Sequence, residues 1–275
     1  MENKNLIIGA AFGYNFEQIK PWVLSINELN IPCERVLCVF SDIDPVTEKK
    51  LYEKNFLLVK IKREQNLPPH VLRFFAMYEF LRDREHEYSL VVTTDVRDVI
   101  FQKDPFEWLR TNLYPKKLVA GSESLRYKDE PWGNNNLLSA YGPYIHSLFK
   151  DNEIFNVGVL GGTTEYMKDL FLQILLNSVN RPISIVDQAV FNVMMYTTPF
   201  KDVTFFASQD QAWACQAGTV ADPSKMAFFR PHLLGGEPSL KDGVFYTSLG
   251  DPFYIVHQYD RVPEWNEYVQ RKYQN

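Results

Sequence analysis

The first hundred residues alternate between short apolar segments and longer segments with helical spacing. In the first helical segment, apolar side chains recur every three or four residues, as at Ile19, Val23 and Ile26. The strand-type segments are Leu6–Ala10, Arg35–Phe40, Phe56–Ile61 and Leu90–Val92, and the helical segments are Phe16–Leu29, Pro45–Asn55 and His70–Arg82. This order is typical of βαβ units, so it predicts an α/β fold with a mostly parallel central sheet flanked by helices.

Polar loops follow three strands of this predicted sheet. They are Ala11–Tyr14, Ser41–Asp42 and the run from Asp95 to Asp98. The carboxyl ends of parallel strands meet at one edge, and α/β proteins bind their ligands there. The convergence of the three loops therefore predicts a nucleotide-type binding site at that edge.

Two carboxylates, Asp95 and Asp98, stand between the apolar segments Leu90–Val92 and Val99–Phe101. A buried carboxylate is unfavourable unless something neutralises it. A divalent cation would do so, because Mg²⁺ and Mn²⁺ favour carboxylate oxygens. Arg97 lies between the two acids and offers the alternative, as the ion-pair partner of one of them at a strand end. These residues alone leave both interpretations open.

The composition narrows the class of protein. With 275 residues, 45% of them apolar, the chain can bury a large core, and we find no linker that would mark a domain boundary. A net charge of -5 argues against a nucleic-acid partner, which usually selects a basic surface. The three cysteines lack disulfide or zinc spacing, which indicates a reducing compartment. Neither a signal peptide nor a transmembrane segment is expected, which favours the cytoplasm.

The second half of the chain has a less regular pattern. Residues 122–154 are polar and rich in Gly, Asn and Tyr, which predicts a long loop with a helix near Pro143–Phe149. Phe155–Gly162 is a predicted strand. Helices are predicted over Thr163–Val179 and Ser184–Tyr196.

Four side chains each allow a structural and a functional interpretation. Asn156 interrupts an apolar strand, so its amide either bonds a neighbouring loop or binds a sugar or phosphate. Asp187 is suited to cap a helix, or to act on a substrate. His257 ends an apolar strand, either as a structural residue or as a metal ligand. Arg73 lies on an apolar helix, where it either extends to solvent or binds a diphosphate.

These segments, in this order, resemble the nucleotide-sugar glycosyltransferases of the GT-A fold, in particular the retaining group that includes glycogenin and the lipopolysaccharide galactosyltransferases. The resemblance spans about residues 5–262. The matching segments are Ala10–Tyr14, at the nucleobase-binding start; Asp95-Val-Arg-Asp98, at the Asp-x-Asp metal motif; Asn156-Val-Gly-Val; Asp187-Gln188-Ala-Val-Phe-Asn192; and His257, at the late metal-binding histidine. The family pattern has one residue between the two acids, whereas this chain has Val96 and Arg97, so either acid is a candidate for direct metal contact.

The resemblance implies a single GT-A domain over residues 1–275. Its nucleotide-binding half would cover about 1–105, and its acceptor and catalytic half about 106–275. It implies Mn²⁺ or Mg²⁺ held by Asp95, Asp98 and His257, with Asp187 and Gln188 as catalytic residues. The donor-binding residues that it implies are Ala11, Tyr14, Arg73, Thr94, Asp95, Arg97 and Asn156.

The implied reaction moves a sugar from a nucleoside-diphosphate-sugar donor, with a UDP-sugar favoured, to a hydroxyl of a glycan acceptor. It would serve polysaccharide biosynthesis, with peripheral membrane contact allowed. A cation and an arginine would stabilise the charge of the leaving diphosphate. Retention is favoured, with Gln188 at the donor's reacting face, whereas Asp187 would be the base in an inverting enzyme. Trp132 and Trp213 are candidate sugar-stacking residues, and a core role is equally open for Trp213.

Two other functions fit the same sheet. A sugar-phosphate nucleotidyltransferase would need a Gly-rich basic loop after the first strand, and Phe12-Gly-Tyr-Asn15 contains neither Arg nor Lys. A carbohydrate-binding protein without activity on the same fold is the other alternative.

Overall fold

The computed structural model describes residues 3–63 and 67–274, which form twelve β-strands and eleven α-helices. The strands are β1 (Lys4–Ala10), β2 (Cys33–Phe40), β3 (Leu57–Ile61), β4 (Tyr88–Thr94), β5 (Val99–Phe101), β6 (Leu118–Arg126), β7 (Glu153–Thr163), β8 (Thr204–Ala207), β9 (Ala214–Gln216), β10 (Ser239–Lys241), β11 (Val244–Tyr246) and β12 (Ile255–His257). The helices are α1 (Phe16–Glu28), α2 (Pro45–Glu53), α3 (Pro69–Arg82), α4 (Pro105–Asn112), α5 (Pro131–Phe149), α6 (Thr164–Ser178), α7 (Asp187–Met195), α8 (Phe200–Val203), α9 (Ala217–Val220), α10 (Pro223–Phe229) and α11 (Pro263–Lys272).

Seven strands form the central sheet in the order β3-β2-β1-β4-β7-β6-β8. The first four are parallel to one another. Strand β7 is antiparallel to both β4 and β6, and β8 is parallel to β6. The predicted α/β fold with a mostly parallel sheet is therefore confirmed.

Alternate residues of the central strands pack on opposite faces of the sheet. Leu6 and Ile8 of β1 join an apolar layer with α3, α6 and α7, whereas Ile7 packs in a layer with α1, α2 and α4. Helices thus flank both faces, as predicted. Helix α1 begins at the expected cap, because the Asn15 side chain accepts a hydrogen bond from the backbone of Gln18 and the Gln18 side chain bonds back.

A smaller sheet of three short strands has the order β5-β12-β9. Strand β12 is antiparallel to β5 and parallel to β9, so His257 is paired with Val99 on one side and with Gln216 on the other. Strand β5 follows β4 after only four residues. This short connection joins the small sheet to the carboxyl end of a central strand.

The predicted long loop over residues 122–154 is wrong for most of its length. Strand β6 continues to Arg126, and α5 begins at Pro131 and runs to Phe149 with a break at Gly142, where φ is 75°. The sequence pattern missed the first part of α5 because glycine and three consecutive asparagines are poor helix formers. The Glu130 carboxylate compensates by accepting hydrogen bonds from two backbone N–H groups of the first turn. The predicted helix at Pro143–Phe149 is confirmed as the part of α5 after the break.

In the described ranges, no helix combines the length and the apolar character needed to cross a bilayer.

Candidate functional site

A cavity of about 600 Å³ opens where β1 and β4 end. Most of the predicted site residues line it, although they come from six different elements and loops. These residues are Tyr14, Arg73, Asp95, Arg97, Asp98, Asn156, Asp187, Gln188 and His257.

The small sheet brings Asp95, Asp98 and His257 together. Asp95 follows the last residue of β4, and Asp98 precedes the first residue of β5. Because β12 pairs with β5, the residues after His257 run beside this turn, and the backbone N–H of Gln258 donates to the carbonyl of Asp98 at 2.7 Å. The strand pairing therefore joins two parts of the chain that are far apart in sequence.

The three side chains surround a space that has the size of an ion site. His257 Nε2 lies 3.5 Å from Asp95 Oδ2 and 3.8 Å from Asp98 Oδ1. One ligand atom from each residue lies within 4.8 Å of the others. The separation from Asp98 is too long for a hydrogen bond and that from Asp95 is at its limit, and two carboxylate oxygens and one imidazole nitrogen are suitable ligands for Mn²⁺.

Gly158 keeps this space open. A Cβ atom at this position would lie 2.7 Å from His257 Cε1, 2.8 Å from Asn156 Oδ1 and 2.9 Å from Asp95 Oδ2. Such contacts are shorter than real Cβ atoms make. The glycine of the Asn-Val-Gly-Val segment is thus required by the close approach of three site residues.

Each carboxylate is also held by an arginine. Asp95 Oδ1 accepts from Arg73, and Asp98 Oδ2 lies 3.2 Å from Arg97 Nη2. The other carboxylate oxygen of each acid, Oδ2 of Asp95 and Oδ1 of Asp98, faces His257. The two interpretations of the acidic run are therefore compatible, because arginine pairing leaves one oxygen of each acid to face a cation.

The imidazole of His257 is oriented from its other side. Its Nδ1 lies 2.7 Å from Gln216 Oε1, on the strand that pairs with β12. With the Gln216 amide in this orientation, its oxygen accepts a hydrogen bond from Nδ1–H. Nε2 faces the two carboxylates, and in the neutral imidazole it would be the ligand atom.

The pKa values reflect a site in which negative charge is only partly balanced. Burial alone would raise the pKa of Asp95, but the Arg73 charge and the neighbouring His257 outweigh it, and this pKa lies well below its usual range. Burial raises the pKa of Asp98, helped by the nearby carboxylate of Asp95. For His257, burial lowers the pKa, but the surrounding carboxylates reverse the effect and raise it. Additional positive charge would therefore be favourable at this position.

Arg73 links the acidic pair to the predicted catalytic residue. Its Nη1 donates to Asp95, and its Nη2 donates to Asp187 Oδ2 at 2.8 Å. The Arg73 side chain is 14% exposed, so it does not extend to solvent. The interpretation of Asp187 as a helix cap is wrong, because Val186 occupies the cap position and the Asp187 carboxylate is paired with Arg73.

A buried carboxylate that the sequence analysis missed lies beside Gln188. Glu123 of β6 lines the cavity, and its Oε1 accepts from Asn156 Nδ2 at 2.6 Å and from Gln188 Nε2 at 3.1 Å. Burial raises the pKa of Glu123. Because residues 122–154 were predicted to be a loop, a single acid inside a strand was not recognised. The apolar run Leu118–Ala120 is followed by Gly-Ser-Glu-Ser, so no sequence signal indicated that the strand continues through Glu123.

Two of the predicted donor-binding residues do not line the cavity. Ala11 is buried in the core, and its backbone N–H donates to Cys38 O at 2.8 Å. Thr94 is also buried, and its hydroxyl accepts from Trp22 Nε1 at 2.7 Å. The prediction of a stacking role for Trp213 is not supported, because this side chain is fully buried.

The cavity wall near His257 contains three cations, each of which also lies near a carboxylate of Asp222 or Asp260. Arg97, Lys225 and Arg261 line it. Arg97 Nη1 lies 3.1 Å from Asp260 Oδ2, and Lys225 Nζ donates to Gly218 O at 3.1 Å. Three cations beside an acidic cluster can bind an anionic group together with a metal.

No protein-family model matches the chain, and neither does any curated protein. The structure, however, is similar to solved structures of glycosyltransferases. Glycosyltransferase GlyE from Streptococcus pneumoniae TIGR4, in its apo form and in a second structure, matches 99% of this chain with a TM-score of 0.55 and 16% identity. The chain spans only 62% of the GlyE chain.

The galactosyltransferase LgtC, solved in complex with donor and acceptor sugar analogues, matches 97% of this chain and 95% of its own, with a TM-score of 0.54 and 13% identity. At such identities the likeness establishes the fold. The chain has the α/β fold of these glycosyltransferases, and the fold implied by the sequence resemblance is confirmed.

Proposed function

We propose that this protein is a glycosyltransferase that uses a nucleoside-diphosphate sugar and a divalent cation. The observation that carries the proposal is the convergence of Asp95, Asp98 and His257 in one cavity at the strand ends. This is where α/β folds bind nucleotides, and the solved structures with this fold include glycosyltransferases. A UDP-sugar is the favoured donor and a glycan the favoured acceptor.

The part of the cavity wall that contains the three cations is suited to the leaving group. Departure of the nucleoside diphosphate leaves negative charge on its outer phosphate, and stabilising this charge lowers the barrier. Mn²⁺ or Mg²⁺ held by Asp95, Asp98 and His257 would supply positive charge at that oxygen. Arg97, Lys225 and Arg261 add fixed cations along the same wall.

The polar groups near Gln188 are suited to the donor sugar and its acceptor. Asp187 is fixed by Arg73, and Gln188 and Asn156 are fixed by Glu123. Side chains held in this way position hydroxyl groups without further loss of freedom. We favour retention of the anomeric configuration, with Gln188 at the reacting face and Asp187 orienting a sugar hydroxyl.

We place the protein in the cytoplasm, which is a reducing compartment and can supply nucleotide sugars. The support is that Cys33, Cys38 and Cys215 are all free thiols. A role in polysaccharide biosynthesis follows from the proposed acceptor class.

The test is a binding experiment with nucleoside diphosphates. We expect UDP to raise the Tm and to bind measurably in calorimetry when Mn²⁺ is present, and to bind more weakly with a chelator, because the diphosphate then loses the charge of the cation. Hydrolysis of UDP-glucose or UDP-galactose in the presence of Mn²⁺ would then distinguish an enzyme from a carbohydrate-binding protein. Equal UDP affinity with and without metal would contradict the metal site and assign charge neutralisation to Arg73 and Arg97.

A further inference from the structure

Trp132 is a large aromatic side chain held at the cavity wall in an exposed position. It is 51% exposed and lines the cavity, whereas the other four tryptophans are at most 5% exposed. An aromatic side chain that is exposed and also lines a cavity is available for contact with a ligand.

Glu130 fixes the backbone at the start of α5. Its carboxylate accepts hydrogen bonds from the backbone N–H groups of Trp132, at 3.4 Å, and Gly133, at 2.5 Å. Pro131 occupies the first turn, and a Cβ at Gly133 would meet Glu130 Oε2 at 2.8 Å. The backbone position from which the Trp132 side chain extends is therefore set before any ligand arrives.

Trp132 shares its part of the cavity wall with the groups around Gln188. Gln188 donates to Glu123, and Glu123, Glu130 and Trp132 all line the cavity. The Glu130 carboxylate accepts from the backbone N–H of Trp132. The three cations belong instead to the loops and elements around His257. Hydrogen bonds thus associate Trp132 with Glu130, and Gln188 with Glu123, and within the part of the chain that the structure describes none of them joins these groups to the cations.

The helix that carries Trp132 is uncharged. Pro131–Phe149 contains neither Asp, Glu, Lys nor Arg. Asn135 and Asn136 follow Trp132 at three and four residues, so their amides share its face of the helix. An aromatic face beside amide groups is suited to a sugar, whose C–H surface stacks on the ring while its hydroxyls bond the amides.

We propose that Trp132, Asn135 and Asn136 form the acceptor subsite, and that it takes an uncharged saccharide. This inference rests on the proposed function. The saccharide's terminal sugar lies in the cavity against Trp132, and its next sugar follows the face of α5. The buried carboxylate of Glu130 beside Trp132 disfavours an anionic acceptor, because like charges repel in a partly buried site.

Fluorescence quenching tests the subsite independently of turnover. Since Trp132 is the exposed tryptophan, acrylamide quenching of the intrinsic emission reports mainly on this residue. With UDP and Mn²⁺ present, we expect lactose, maltose or cellobiose to reduce the quenching, and sialyllactose to have little effect. Trp132→Phe should remove the quenchable component. If none of the three neutral disaccharides protects the tryptophan, or if sialyllactose protects it best, the inference is overturned.

Steady-state kinetics with the disaccharide that protects best give a second readout. We expect Trp132→Ala to raise the KM for the acceptor about tenfold, because the sugar loses its stacking surface, and this change corresponds to about 1.4 kcal/mol. Trp132→Tyr should restore much of it. The matched control is Tyr144→Ala, which removes another exposed aromatic ring of α5 outside the cavity lining.

A rise in the donor KM as large as that in the acceptor KM would assign Trp132 to the donor site and overturn the inference. Failure of the wild-type protein to hydrolyse any UDP-sugar would contradict the proposed function instead. The two failures are therefore distinguishable.

Discussion

The two ends of the cavity neutralise buried polar groups in different ways. Around His257 the carboxylates of Asp95 and Asp98 are balanced by arginines, so this end is held by ion pairs. Around Glu123 a single carboxylate accepts hydrogen bonds from the amides of Asn156 and Gln188. The acids near His257 are therefore paired with cations, whereas the Glu123 carboxylate is bonded by neutral amides.

This difference has energetic consequences. Removing one partner of a buried ion pair leaves a charge without compensation, which costs much more than the pair contributes. Removing one neutral donor from a carboxylate costs less, because the remaining donors and nearby water still satisfy it. The ion-paired end should therefore be sensitive to every partner, and to a bound cation, whereas the amide end should respond mainly to pH.

Arg73→Met gives the largest expected effect. It leaves Asp95 and Asp187 without their shared partner, and we expect a loss of about 3–5 kcal/mol in the free energy of unfolding. Urea denaturation measures it. Mn²⁺ should recover part of the loss by supplying positive charge near Asp95.

The matched control for this variant is Arg82→Met on the same helix. Arg82 is exposed and forms surface ion pairs with Glu79 and Asp83, which contribute little to stability. If both variants lose a similar free energy of unfolding, the buried ion pairs of Arg73 stabilise the protein no more than surface pairs do. The proposed difference between the two ends of the cavity would then be wrong.

Asp187→Asn tests the link between the ends. We expect turnover to fall by about two decades or more, as is usual when a positioning or acid–base group is lost. Arg73 keeps its bond to Asp95, so the variant should remain folded, which circular dichroism can verify. Near-normal turnover would restrict Asp187 to a structural role.

His257→Ala is expected to weaken Mn²⁺ binding by roughly 10–100-fold, because the ion site loses its nitrogen ligand. Calorimetry with Mn²⁺ and UDP measures this, and UDP binding without metal should change little. Loss of the nitrogen should also shift the preference towards Mg²⁺, which prefers oxygen ligands. His146→Ala on α5 is the control. A lower Tm with unchanged metal dependence would make His257 a structural residue.

Glu123→Gln gives the smallest expected effect, which is a change in Tm that depends on pH. Burial raises the pKa of Glu123 above its unfolded value near 4.5, so folding favours the protonated acid. The stability that this group contributes is complete below the unfolded pKa and is lost as the pH rises through the folded pKa. The variant should therefore have the higher Tm at pH 8, and the difference should disappear near pH 4. Equal Tm values at pH 8 would indicate that the carboxylate is well compensated.

Much of the parallel half of the fold was predictable from the sequence. Periodicity located α1, α3 and the strand before Asp95, because each has an uninterrupted apolar pattern and a local boundary such as the Asn15 cap. Part of the cavity lining was also predictable, since Tyr14, Asp95 and Asp98 follow buried strands whose carboxyl ends meet at one edge. The site roles of Asn156, Asp187, Gln188 and His257 came from the family resemblance.

The partners of these residues were not predictable. The contacts between Arg73 and Asp187, and between His257 and Gln216, depend on how α3, α7 and β9 pack, and no local pattern encodes that. The first part of α5 was missed because its helix depends on a single cap at Glu130 rather than on its own propensity. Thr94 was assigned to the donor, yet its hydroxyl is bonded to Trp22 across the core.

The hydrogen atom that serves as the side chain of Gly158 has a consequence for how this protein is compared with others. A single methyl group there would occupy the volume between an imidazole, an amide and a carboxylate. A copy of this chain could therefore keep every acid and the histidine, and so look complete in a sequence comparison, while the space proposed for the ion is filled. Inactive homologues of this protein should therefore be identified by a residue other than glycine at position 158, even where every acid is present.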